Sequence, residues 1–136
     1  ASLVLNEKKK RMAVAYRYTN HISFYNLDGI LEQSFFVDNN KIVPVATRDG
    51  INIEASRKCF IETYGTEKYV YCLFDGSVNF SNNSQLHIYT WEGKRKAIIS
   101  LDRNIRTFAV SEDDSSILAV SRSERGGQDI LIYRMP

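Results

Sequence analysis

Residues 85–102, QLHIYTWEGKRKAIISLD, have a second copy in this chain, and that repetition constrains the fold more than any other feature. The stretch reads as an apolar strand, a Glu-Gly turn, a basic patch and a second apolar strand, which is the pattern of a β-hairpin. Residues 21–38, HISFYNLDGILEQSFFVD, align with it at a constant offset of 64, with Tyr25 on Tyr89, Asp28 on Glu92, Gly29 on Gly93 and Asp38 on Asp102. A third copy opens at Asp129 with DILIYRMP and places Tyr133 44 residues after Tyr89. A separate match links the two ends of the chain. FAVSEDDSSILAVSR, from Phe108, aligns with LVLNEKKKRMAVAYR, from Leu3, at an offset of 105, with Glu7 on Glu112 and Arg17 on Arg122.

Together the matches define a unit of four strands: a short strand, a charged turn, a strand apolar on both faces, and a hairpin. The first unit predicts strands at 2–6, 11–18, 21–27 and 30–37, with Asp28-Gly29 as a two-residue turn because Gly accepts positive φ. The second predicts strands at 58–64 and 68–74, a polar loop at 75–84, and the hairpin of 85–102. The third predicts strands at 105–111, 116–122 and 130–135 and lacks its fourth. Residues 39–57, with Pro44 and Asp49-Gly50, form an irregular insertion of roughly twenty residues against a repeat period of about 40–50.

Tandem four-stranded antiparallel units of this length are the signature of β-propeller blades. The expected fold is therefore all-β: a propeller fragment of about three blades, at 1–38, 58–102 and 103–136, the last without its outer strand. Closed propellers begin at about four blades, so the chain reads as about half a ring. An open third strand invites pairing. Either a missing N-terminal half or a second copy of the chain is expected to cover it.

Composition excludes more than it assigns. A net charge of +2 with scattered basic residues gives no footprint for nucleic acid. The run Lys8-Lys9-Lys10-Arg11 reads as a solvated hairpin tip, with a phosphate or membrane contact as the lesser alternative. No apolar run approaches membrane-spanning length. Cys59 and Cys72 flank one predicted hairpin, which leaves buried free thiols or a diagonal disulfide open.

The sequence LHIYTWEG at 86–93, with YVYCLFDG at 69–76, LDRNIRTFAV at 101–110, Ala119-Val120 and the closing ILIYRMP, resembles the C-terminal half of TolB-like six-bladed β-propeller proteins. The resemblance covers the chain from Phe60 onward and, through the repeat, the first blade as well. It implies an exported bacterial protein of Bacteroides type, periplasmic or lipid-anchored at the outer membrane, and an N-terminal half that closes the ring. It carries no catalytic signature. WD-repeat proteins differ, since Trp91-Glu92 is only a partial echo of their Trp-Asp, and the other copies have Leu27-Asp28 and Met135-Pro136.

Neither a Gly-x-Ser-x-Gly elbow nor an HExxH helix nor a phosphate loop is present, so no catalytic residue is assigned. His21 and His87 are out of register between repeats, because His87 aligns with Ser23, so they read as structural or surface residues and no metal site is assigned. Glu112-Asp113-Asp114 reads as a solvated tip, because the first unit has Glu7-Lys8-Lys9 there. Tyr25, Tyr89 and Tyr133 read as inter-blade packing and Trp91 as an inter-blade plug.

The binding candidates are Arg17, Arg122, Arg103 and Asp75, placed by the repeat on one rim near Arg48, since arginine suits carboxylate or phosphate recognition. Pairing of these arginines with acids of neighbouring blades is the plainer alternative. Besides a purely structural half-ring that assembles with itself, two functions remain. One is a non-enzymatic module binding a protein, peptide or glycan without a cofactor. The other is a calcium-dependent hydrolase or lyase of the six-bladed class, for which Asp38 and Asp102 are the acidic candidates near the axis.

Overall fold

The computed structural model describes residues 1–38, 40–123 and 125–135, so Asn39, at the start of the expected insertion, and Pro136, at the end of the last unit, lie outside it. Its first sheet is β1 (Ser2–Asn6), β2 (Arg11–Ala15), β3 (His21–Asn26) and β4 (Leu31–Phe36), paired in that order. A two-stranded ladder follows, β5 (Ala46–Thr47) with β6 (Gly50–Ile51), inside the stretch expected to be irregular. The second sheet is β7 (Lys58–Gly65), β8 (Tyr69–Ser77), β9 (Gln85–Thr90) and β10 (Arg95–Ser100). The third is β11 (Ile105–Val110), β12 (Ser116–Arg122) and β13 (Gln128–Arg134). Every pairing is antiparallel between chain neighbours. The described residues form no helix.

The sheets stack face to face, with β7 lying between β1 and β11. Strand alternation decides which side chain meets which neighbour. Along β8, Val70, Cys72 and Phe74 point to the first sheet, while Tyr71 and Leu73 point to the third. β9 does the same, with Tyr89 on one side and Leu86 and Ile88 on the other. Two apolar layers result. One joins Ala13, Ala15, Ile22 and Phe24 to the second sheet, and the other joins Ile105, Phe108, Ile117 and Ala119 to it. The middle sheet is thus apolar on both faces, as a blade between two blades must be. The far faces of the outer sheets keep apolar residues exposed: Leu3 and Leu5 on one, Leu118, Ile130 and Ile132 on the other.

The two outer hairpins share their pairing, residue for residue. Tyr25 pairs with Leu31 and Phe24 with Gln33, while Tyr89 pairs with Arg95 and Ile88 with Ala97, so each has an extra residue at the same place. The turn differs from the two-residue form expected. Asn26 N–H donates to the Ile30 carbonyl (3.0 Å) and Gly29 N–H to the Asn26 carbonyl (3.2 Å), with Thr90, Lys94 and Gly93 repeating the scheme. Three residues bridge the strands, and the last is a glycine at φ 81 or 86. A three-residue loop with glycine in the left-handed region and a bulge beside it matches the strand twist as well as a two-residue turn does.

Trp91 opens the second of these loops. It is fully buried, donates Nε1–H to the Thr66 carbonyl at 2.9 Å, and its ring would crowd a Cβ at Gly65 to 3.0 Å. Cys59 and Cys72 are both free and buried. The ladder sets Cys72 opposite Thr63, four residues along the strand from Cys59, so the pair is out of bridging register. Burial pushes the Cys59 thiol up to about 11 and the Cys72 thiol far above its usual range, which leaves neither a ready nucleophile.

Candidate functional site

Three breaks in the ladders converge at one end of the inner strands. In β7, Phe60 pairs with Phe74 and Glu62 with Leu73, so Ile61 is an extra residue. In β11, Ile105 pairs with Ser121 and Thr107 with Val120, so Arg106 is extra. In β8, Asp75 and Gly76 together face the single residue Cys59. Gly76 has φ 86, and a Cβ there would lie 2.9 Å from the Phe74 ring. Bulges re-aim side chains and free backbone groups from the ladder. Here the Ile61 carbonyl accepts a hydrogen bond from Arg17 Nη2 at 3.1 Å.

Around these bulges lies a cavity of about 220 Å³, lined by Arg17, Ile61, Asp75, Phe80, Asn104, Ile105 and Arg106. Arg17 comes from the connection between β2 and β3, and the backbone of that connection is tied to β7 through Cys59 N–H to the Arg17 carbonyl. Asp75 is buried and held entirely by neutral donors. Oδ1 accepts from Ser77 N–H at 2.9 Å and from the Ser77 hydroxyl, and Oδ2 accepts from Asn104 Nδ2 at 2.8 Å. The second Asn104 Nδ2 hydrogen goes to the Asn82 carbonyl at 2.6 Å, which fixes the orientation of the amide. Phe80 is 37% exposed and sits at φ 56, a left-handed backbone that a phenylalanine seldom adopts.

Of the four candidates, the structure brings Arg17 and Asp75 to this cavity and places Arg103 and Arg122 elsewhere. Arg103 Nη1 donates to Asp129 Oδ2 at 3.0 Å and to Ser121 Oγ at 3.4 Å, tying the connection before β11 to the third sheet. That bond raises the guanidinium pKa further above its usual value. Arg122 ends β12 exposed, on the strand face opposite to buried Ser121. The expected ten-residue polar loop is shorter, since β8 runs through Ser77. Asp102 accepts a hydrogen bond from the Tyr133 hydroxyl at 2.8 Å. Asp38 borders a hollow that Arg57, Phe74, Asp75 and Gln85 also line. No group of three or more His, Cys, Asp or Glu side chains converges among the described residues.

The sequence reading missed Arg106, Phe80, Asn104 and Lys58. The repeat gave no signal for Arg106, because the 44-residue spacing that sets Tyr133 on Tyr89 sets Arg106 on Glu62, and only the pairing across the sheets gives it the bulged position of Ile61. Lys58 is 5% exposed, and its ammonium donates to the carbonyls of Ile53 (2.7 Å), Ser56 (2.9 Å) and Val78 (2.5 Å). It fastens the insertion to the loop that carries Phe80. Lys58→Met is expected to cost about 2 kcal/mol, since hydrogen bonds to charged groups contribute about 1.5–3 kcal/mol. Amide exchange at residues 53–56 should accelerate as well. Urea unfolding within 0.5 kcal/mol of the parent, with unchanged exchange, would contradict this role for the ammonium.

At the opposite end of the inner strands, the turns form a second hollow, of about 670 Å³, bordered by Leu5, Lys8, Thr66, Glu67, Glu112 and Asp113. Three of its charged groups have partners. Lys8 pairs with Glu67 at 3.3 Å, and Asp113 Oδ1 is bonded by the hydroxyls of Ser115 (2.6 Å) and Ser111 (2.8 Å). Those bonds, Ser115 foremost, pull the Asp113 carboxyl down to about 2. Asp114 is more than a solvated tip. Its Oδ1 accepts from Thr66 Oγ1 at 2.6 Å and the Tyr71 hydroxyl at 2.7 Å, which locks the third sheet to the second.

Four-stranded antiparallel sheets stacked about their shared inner strands, with loops of neighbouring sheets meeting at the inner ends, define a β-propeller segment. No curated protein sequence matches the chain significantly. The family described as TolB-like 6-blade propeller-like matches residues 2–113, and the chain belongs to that family.

Proposed function

We propose that this chain is a non-enzymatic binding module, part of an exported bacterial protein, whose ligand is a protein, peptide or glycan held at the bulged ends of the inner strands. The observation that carries the reading is the cavity itself. Two arginines and an exposed phenylalanine border it, and three separate backbone irregularities shape it. The groups that acid–base or nucleophilic chemistry would call on are committed elsewhere. Asp75 is saturated by neutral donors, both thiols are pushed up by burial, and His87 is enclosed by aromatic rings. Membership of the TolB-like family supports a periplasmic setting.

The test is a glycan array and a displayed peptide library probed with the folded chain, followed by ¹⁵N NMR mapping of any hit. Shifts are expected at Arg17, Phe80, Asn104 and Arg106. Shifts confined to the opposite hollow, around Leu5, Glu67 and Glu112, would move the site, and turnover of the hit would overturn the non-enzymatic reading.

The same proposal includes further blades, since the family is six-bladed and the outer faces of this stack keep Leu3, Leu5, Leu118, Ile130 and Ile132 exposed. Light scattering on the 15.6 kDa chain separates their two sources. A dimer would point to a second copy, and a monomer to more polypeptide.

A further inference from the structure

We infer that the cavity at Arg17, Phe80, Asn104 and Arg106 recognises a carboxylate carried on a sugar ring, that is, a uronate residue of an acidic glycan. The inference rests on the binding-module reading above and names its ligand class. Three features of the cavity match three features of such a ring. Arg17 spends one donor on the Ile61 carbonyl, which fixes its guanidinium half-buried, with its other N–H groups unspent among the described residues. Arg106 is exposed, on a bulge in the adjacent inner strand that borders the same cavity. Two guanidinium groups about one opening suit a planar carboxylate, which arginine binds in a fork. Asp75, on the same cavity, makes its hydrogen bonds to Ser77 and Asn104, and two guanidinium charges against its one carboxylate leave the lining net positive.

The second feature is Phe80. An aromatic ring left 37% exposed on a left-handed backbone carries a cost in both solvation and conformation. The Phe80 ring lines the cavity together with Ile61 and Ile105, with Lys58 Nζ 5.8 Å from the ring centroid, and offers a surface for the C–H face of a pyranose. The third is the Asn104 amide. Both its hydrogens are bound, to Asp75 and to the Asn82 carbonyl, so the group it presents is the Oδ1 acceptor, which suits a sugar hydroxyl. Size agrees. At about 220 Å³ the cavity is smaller than the roughly 300–1,000 Å³ of drug-sized sites, and it suits a single ring.

The experiment is calorimetric titration of the 136-residue chain with trigalacturonate, galactotriose and an acetylated tripeptide ending in a free carboxylate. Trigalacturonate is expected to bind at least about tenfold more tightly than galactotriose, the scale of one charge-assisted pairing. Arg106→Ala should weaken it about tenfold by the same reasoning. Phe80→Gly separates recognition from folding, because glycine relieves the left-handed strain. That variant should melt higher than the parent and yet bind more weakly.

Equal affinity for galactotriose would overturn carboxylate recognition, and binding of the tripeptide alone would overturn the sugar; either would leave a binding module standing. Trigalacturonate binding untouched by both substitutions would overturn the site. Absence of binding by all three probes at millimolar concentration would overturn the inference, while the array and library test the module itself.

Discussion

Trp91→Ala is expected to destabilise the chain by about 3–5 kcal/mol, the range for removing a fully buried tryptophan or phenylalanine. Two losses add. The indole is the largest fully buried side chain, and it sits in the layer between the first and second sheets with Val4, Phe24 and Val70. Its N–H is also the donor for the Thr66 carbonyl, at the turn that both neighbouring sheets clasp, Asn6 Nδ2 reaching the Glu67 carbonyl and Asp114 reaching Thr66. For a domain of this size each kcal/mol shifts Tm by several degrees, so differential scanning calorimetry should show a fall of ten degrees or more. Trp91→Phe keeps most of the packing and loses the hydrogen bond, and should fall between. A Trp91→Ala variant melting within two degrees of the parent would show that the two sheets do not depend on this plug.

The repeat was readable because it lies in features that sequence carries directly: apolar alternation, an acid-Gly turn and constant spacing. The offset of 64 predicted even the matching pairing of the two outer hairpins, although the turn holds three residues rather than two. Arg17 and Asp75 were reachable because both lie near the end of the second strand of a repeat unit, although Arg17 follows β2 and Asp75 lies inside β8. The rest of the cavity was not. A bulge adds one residue without altering local composition, so the positions of Ile61, Arg106 and Gly76 depend on pairing across the sheet. Arg103 looked like a rim residue, yet Asp129, far along the chain, decides where its guanidinium goes. Asp114 and Lys58 are cases of the same kind. Charge at a turn and charge at a strand start ordinarily mean solvent, and only the stacked sheets turn them into buried ties between segments.

Lowering the pH from about 7 to about 4 is expected to remove about 3 kcal/mol of stability, most of it through His87. The ring is 2% exposed, packed edge-on to Phe60 and tilted against Phe74. Burial comes first among the causes that pull its pKa from 6.5 to about 4; Arg95 lowers it further and Asp38 opposes both. A depressed histidine is neutral in the folded chain while the unfolded chain takes up a proton. Between pH 6.5 and pH 4 the unfolded state therefore binds more protons, and stability falls with pH across that window at up to about 1.4 kcal/mol per unit. Below about 4 both states are protonated and the contribution is gone. His21, also lowered by burial and then by Lys41, acts in the same direction, whereas Asp113, held down to about 2, matters only at lower pH. Urea unfolding at pH 7, 5.5 and 4 measures the slope. His87→Gln, which keeps a polar side chain beside Gln85 and Tyr89, should flatten most of it while costing some stability at pH 7. An unchanged slope in that variant would assign the acid sensitivity to His21 and the surface carboxylates instead.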